Sequence, residues 1–516
     1  MQRQRRFLAV LVALALAMIA GCSGGAKSPS QGADGKTQKP LVIALGSDTR
    51  TLIPMKIVDS TTAQQLTYIY DDFLIRDPAK NWDWGPNLAD SWRIVDDLTW
   101  EFKLHKGIKF HNGEDFTAES VKVTIDTIQA DKDSHYNPRF SMIKEVQTPD
   151  PYTVIIKTDK PSPILLSRIA DLKPMPPKFV KDKGAAALQQ TPIGVGPYKF
   201  VKHVKDEQLV LEANPDYWGG KPSIQQVIFK PIPEFATRLS ALLAGEVDII
   251  QSVPTHAVDQ VNNSGKATVK VVPSSRINYV ALNNLKPNSP FKDVRIRQAM
   301  NYGVDVDSII KFVLSGYATR MAGALAEINP ETNKSIKPYP FDVAKAKQLF
   351  ADAGVDPTKL TLTMDASMGR YPMDKEFAEA VAAQLNKNLG IKVNITFNEW
   401  GTHLDKIVKR NTGDMFVLGW GPAFDAEGTI GDLFVGDRTY SGFGDPVLEK
   451  QINEARPLVD PAKRQAAWDK VQEEAYKTAG WIFLWQQHDL YGVSNRVDFT
   501  PRADERIDAW RMKFKG

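Results

Sequence analysis

Three times along this chain a stretch with helical apolar periodicity runs into a glycine and then into an apolar strand. Glu234–Ala244 meets Gly245 and Val247–Ile250; a helix capped by Asp342 runs through Ala353 to Gly354 and Leu360–Met364; Glu376–Leu389 meets Gly390 and Ile391–Phe397. Glycine just past a helix is a stop signal because it takes left-handed geometry without steric cost. Helices alternating with strands in this way argue for α/β lobes. Over 516 residues that grammar exceeds one small core, so two or three lobes are expected. No period of about 20–50 residues recurs, which excludes a solenoid.

The rest of the body reads in the same terms. Leu41–Leu45 is a continuous apolar run expected as a buried strand, and Asp59-Ser60 offers an N-cap for a helix over Thr61–Tyr70. Trp100, Phe102 and Leu104 alternate onto one strand face, Asn112-Gly113 signals a turn, and Thr117 is placed to cap a helix through Ile128. Thr153–Thr158, Gln208–Glu212 and Gln226–Pro231 are further strands.

The first 40 residues belong to no lobe. The basic start MQRQRR precedes a 14-residue apolar run, Phe7–Ala20, then Gly21-Cys22-Ser23. That run is shorter than the roughly 20 residues of a spanning helix and fits a signal-peptide core. Ile19-Ala20-Gly21-Cys22 resembles a bacterial lipobox, which implies cleavage before Cys22 and a lipid on its sulfur. Residues 23–40 are rich in Gly, Ser, Pro and Lys, a composition that cannot order itself; as a tether it would span roughly 20–25 Å.

Composition excludes several functions. Cys22 is the only cysteine, so no intramolecular disulfide, cysteine-ligated metal site or thiol nucleophile is available to the body. The net charge of +4 includes Arg3, Arg5 and Arg6, leaving the body near neutrality with its charges interleaved; a nucleic-acid binder would show a basic stripe. The seven histidines are scattered, with no HExxH, and no phosphate loop or GxSxG elbow occurs. Gly194-Val195-Gly196-Pro197 begins like a dinucleotide loop, but Pro197 and the strand-like Tyr198-Lys199-Phe200 stand where a helix should open. No catalytic residue, metal ligand or cofactor is expected.

Four long blocks give a positive reading. They are Asn87–Trp92 with LTWEFKLHKGIKFHNGEDFTAESVK; Thr191–Phe200 with LEANPDYWGGKP; Ala236–Leu239 through Asp248; and Asn278–Asn283 with PFKDVRIRQAMNYGVDVDSII. Together with AEAVAAQLNKNLGIKV and the stretch on to Pro501, they resemble the family-5 extracellular solute-binding proteins of ABC importers. The resemblance implies an α/β, two-lobed periplasmic-binding-protein clamp of type II, with an extra inserted subdomain and a ligand cleft between the lobes. It places a lobe I core at 41–73, 185–275 and 486–516, an inserted subdomain at 74–184 and lobe II at 276–485. It further implies a monomer that delivers a small peptide or similar solute to ABC permease subunits and touches the membrane only through its lipid, on the extracytoplasmic face.

For the site, the loop Leu418–Glu427 matches the family's cleft loop and Trp420 falls on its tryptophan. Peptide binders carry an ammonium-pairing aspartate three residues later, where this chain has Ala423; Asp425 is the nearest replacement, or else serves as a loop cap. Phe424, Asn283, Tyr279 and Arg370 complete the expected ligand-binding set, Arg370 as a carboxylate partner. The departure at Ala423 keeps an opine, an oligosaccharide or a metallophore–metal complex open as solutes. A peptide-sensing receptor is the alternative to import.

Overall fold

A computed structural model describes residues 38–80, 82–421, 424–458 and 460–515. The expected signal segment, Cys22, most of the tether and Ala423 lie outside them. The tether's described end rests on the body: Lys39 Nζ donates to the Gly245 carbonyl, and Arg496 to that of Pro40.

Two long antiparallel strands organise the molecule. Ala267–Leu282 and Trp481–Ser494 pair side by side at the centre of an eleven-stranded sheet. On one side follow Met415–Trp420, Thr361–Ser367 and Lys392–Asn398; on the other, Ile249–Ile250, Leu41–Leu45, Gln226–Pro231, Gln208–Ala213 and Tyr198–Val204. Of the two long strands, Met415–Trp420 meets only the Ile277–Leu282 end of the first, and Ile249–Ile250 only Gly492–Val493 near the end of the second. Each long strand therefore serves one half with one end and the other half with the other. Their register shifts between Pro273 and Ile277 and again between Asn278 and Tyr279, a bulge that bends and twists the pair at the crossing.

The apolar core divides at the same place. One cluster, centred on Trp468, Trp481 and Phe434, contains only residues 277–485. The other two flank the opposite half of the sheet and draw only on residues up to 267 and from 490 onward. The four-stranded antiparallel sheet of Ala89–Asp96, Thr99–Leu104, Thr153–Thr158 and Ile143–Asp150 packs into the second of these through Trp100, Phe102, Val154 and Ile156.

Local expectations mostly hold. Asp59 caps Ser60–Tyr70, accepting from the Thr62 amide, and Thr117 and Ser120 form a reciprocal cap on Ala118–Ala130. Leu41–Leu45, Thr153–Thr158 and Gln226–Pro231 have the expected bounds. The strand expected over Val247–Ile250 shortens to Ile249–Ile250, and Asp374, not Glu376, begins the helix ending at Leu389. Tyr198–Val204 is a strand, so no helix N-terminus follows Gly194-Val195-Gly196. Those glycines instead let the chain lie against another backbone: a Cβ on Gly194 would stand 2.1 Å from the Ile69 carbonyl oxygen.

Candidate functional site

Between the two halves lies a cavity of about 370 Å³ with walls from both. The first half contributes the N-terminus of helix Ser60–Tyr70, side chains of the inserted sheet's surroundings such as Arg139 and Arg168, and the C-terminal stretch Asp504–Arg506. The second contributes Arg276, Arg370, Trp400, the loop around Trp420, and Tyr440.

Aromatic contacts close one wall. Phe424 stacks on Trp82 of the opposite half with ring centroids 5.1 Å apart. Arg76 lies 3.6 Å over Trp84 and 5.2 Å from the Phe424 ring, a cation held between aromatic faces. Trp420 is half-buried; its indole N–H donates to the Gly428 carbonyl at 2.9 Å and its ring leans on Tyr440. The Tyr440 hydroxyl in turn donates across the cavity to the Val58 carbonyl. The loop then winds into a π-helical turn, Glu427–Gly431, which buries Glu427 against Arg168 and Arg456.

Most charges in the walls are already paired, and several pairs join the halves. Arg168 reaches Asp432 at 3.0 Å; burial works against the Arg168 charge, and Asp432 and Glu427 outweigh it. Arg276, projecting from the bulge, holds Glu505 with two N–H donors and the Gly419 carbonyl with a third. Lys173 and Arg506 share Asp72, Arg139 pairs with Asp171, and Arg502 with Asp504. Asp425 accepts from the Gly428 amide and stands 3.8 Å from Arg76. It is both a loop cap and half of an ion pair. Outside the cavity wall, Arg50 ties to Asp405 and donates to the Gly401 carbonyl.

Behind Glu505 on the crossing strand sits Asp489, fully enclosed, with Oδ2 lacking a partner. Burial, then the Glu505 charge, pushes its carboxyl up to about 7. The native state therefore keeps a proton that the unfolded chain releases near pH 4, and this contribution to stability is lost as pH rises from about 4 to 7. Buried His111, held down to about 4 by desolvation, acts in the opposite sense over the same window. The difference between wild type and Asp489→Asn isolates the carboxyl: the variant should gain on wild type by a few kcal/mol between pH 4 and 8, at about 1.4 kcal/mol per pH unit of separation. Urea melts at both pH values check it; an unchanging difference would show that Asp489 does not titrate there.

The sequence-derived set divides on placement. Trp420, Phe424, Asp425 and Arg370 line the cavity. Arg370 is 6% exposed, donates to Ser60 Oγ at 2.8 Å, and has an Nε without a partner. Its loop is fixed by Asp374, which accepts from the amides of Gly369, Arg370 and Tyr371. Tyr279 and Asn283 lie off the cavity. Tyr279 stacks on Trp481 at 3.8 Å inside the 277–485 core, and Asn283 ties its strand end to Thr412 and the Leu285 amide. Neither side chain lines the cavity: beyond Arg276 both faces of this strand are buried inside the 277–485 half.

Sequence reasoning passed over Asp59, Arg76, Arg276, Glu505 and Tyr440, all of which line the cavity, and His135, its one histidine. Among the described residues no group of three or more His, Cys, Asp or Glu is placed to hold a metal ion.

A family model described as bacterial extracellular solute-binding proteins, family 5 Middle, matches residues 83–441. Glutathione-binding protein GsiB of Pectobacterium atrosepticum is 29% identical over 471 residues, covering 86% of this chain and 88% of the relative. Heme-binding protein A of Haemophilus influenzae is 26% identical, covering 87% and 85%. Among solved structures, the periplasmic binding protein DppA of Helicobacter pylori, in complex with peptide STSA, has the same fold with a TM-score of 0.83 at 24% identity, covering 92% of this chain and 98% of that one. The two halves of the sheet are thus the lobes of a periplasmic-binding-protein clamp, and the chain belongs to the bacterial extracellular solute-binding proteins of family 5.

Proposed function

We propose that the protein captures a peptide-like solute outside the cytoplasm and hands it to an ABC permease, tethered to the membrane by a lipid on Cys22. The observation that carries this reading is the cavity: it is walled by two lobes whose apolar cores share no residue and whose chain connections are the two bulged crossing strands. Such a crossing is a hinge, with lobe I at 41–275 and 486–516, including the insertion at 74–184, and lobe II at 276–485. A solute touched by both lobes gains its full contacts only when they close, so binding shifts the population toward the closed form that a permease recognises. The relatives' printed ligands (glutathione, heme and a peptide) support a solute of this size range. A volume of about 370 Å³ lies at the small end of ligand sites and favours short solutes.

Mass spectrometry of solute released from the natively purified protein tests the reading directly. A small solute at one per chain is expected; a protein that carries none and gains no thermal stability from peptide, opine or sugar panels contradicts it. A ligand at 100 times its Kd would add about 2.7 kcal/mol. Trp420→Ala is expected to weaken affinity for the released solute tenfold or more, the loss typical of an aromatic anchor, while the melt stays cooperative. Unchanged affinity by calorimetry would remove Trp420 from the site.

A further inference from the structure

We propose that Asp59 and Arg370 together read a zwitterionic head group, with Asp59 as the partner of the solute's ammonium. This rests on the solute-binding reading above and names the chemistry the cavity selects.

Among the described residues lining the cavity, every other carboxylate and every other guanidinium or ammonium has an oppositely charged partner within 4.0 Å. Two remain. Arg370, enclosed and with its Nε unpartnered, has no carboxylate within 4.0 Å; it feels the charge of Glu505 from farther off, where Arg276 already holds it, and its contacts are Ser60 Oγ and the faces of Tyr371 and Trp400. Asp59, only 8% exposed, has no cation; its two oxygens accept from the amide and hydroxyl of Thr62. A carboxylate offers about four lone-pair sites, so two are left for donors from the cavity. A buried guanidinium without a counter-ion and a buried carboxylate without one each carry a desolvation cost. One solute bearing both charges relieves the two together.

Position adds to this. Ser60 follows Asp59 in the chain and accepts from Arg370, so the two free charges flank one residue across the closure gap. The head group they fit has its ammonium and carboxylate near one another. The ammonium partner also sits on lobe I, on the cap of a helix, whereas the loop after Trp420 has Asp425 engaged by Gly428 and Arg76. The ammonium would be gripped by the open first lobe and the carboxylate added as lobe II closes.

The test compares affinities for free amino acids and dipeptides with those for the same panel N-acetylated and C-amidated, by calorimetry on the full mature protein after removal of bound solute by unfolding and refolding. Members of the unblocked panel are expected to bind, and both blocked forms of each binder to lose tens of fold. Asn is as good an N-cap as Asp, so Asp59→Asn keeps the helix while deleting the charge. It should erase the preference for the free amine and leave the preference for the free carboxylate. Acetylated probes binding as tightly as free ones, a preference for the amine that survives in Asp59→Asn, or no binding anywhere in the unblocked panel would each overturn the proposal. Solute found in the native protein with any of these outcomes would leave the binding-protein reading standing.

Discussion

Replacing Arg276 with methionine is expected to cost about 3–5 kcal/mol of stability, the range for removing one partner of a buried ion pair. The side chain is fully enclosed, and it serves three separate structures. Glu505, in the C-terminal stretch of lobe I, takes two of its donors; the Gly419 carbonyl of lobe II takes one; and Ser60 of the helix cap lies 2.9 Å from Nη2. Burial opposes the charges of both partners, and each holds the other ionised: Arg276 is kept above its ordinary range and Glu505 below it. Methionine fills the volume and leaves Glu505 buried beside Asp489 with only the more distant charge of Arg370 to oppose its own. The loss should therefore be largest near neutral pH and shrink in acid, where Glu505 takes up a proton. Adding Glu505→Gln should recover a large part of it at pH 7. Urea melts of the single and double variants measure this; a double variant no more stable than Arg276→Met would mean that the guanidinium acts through its carbonyl contacts and not through the ion pair.

Arg276 also marks where sequence reading reaches its limit. In the run Val271-Val272-Pro273-Ser274-Ser275-Arg276-Ile277 a proline, two serines and an arginine break the apolar pattern, so no continuous strand is legible there. The chain instead carries one strand through and absorbs the break as a bulge against Trp481–Ser494, some two hundred residues away. Signals that act within a few residues were readable. The caps at Asp59 and Thr117, the glycine stops at Gly245 and Gly390, and the strand Leu41–Leu45 all follow from neighbouring backbone groups and need no distant partner. The cavity was legible only in part. Trp420 could be placed through a family pattern and Arg370 from its position just before a helix, but which charges are spent depends on pairs such as Arg276–Glu505 and Arg168–Asp432, brought together only by the fold. Tyr279 shows the converse: it looked available because nothing in the sequence reveals that Trp481 lies flat against it.

Arg370→Gln is expected to lower affinity for a carboxylate-bearing solute about 30- to 150-fold, the equivalent of the roughly 2–3 kcal/mol carried by a charge-assisted hydrogen-bonding pair. The geometry makes the guanidinium unusually ready for such a partner. Asp374 fixes the backbone of Gly369-Arg370-Tyr371 through three amides, and the faces of Tyr371 and Trp400 hold the guanidinium from two sides at 5.1 and 5.4 Å. Little side-chain freedom is left to lose when the solute arrives, so most of the interaction appears as affinity. Glutamine retains the approximate reach and a donor for Ser60 but cannot supply a charge, and stability should change little because no protein carboxylate is orphaned. Lysine should restore only part of the affinity: it brings the charge back without the planar fork that meets both carboxylate oxygens. The ordering wild type, lysine, glutamine for a free-carboxylate solute, collapsing to near equality for its amide, is the expected calorimetric signature. Equal affinities of all three proteins for the free carboxylate would place the solute's negative charge elsewhere in the cavity.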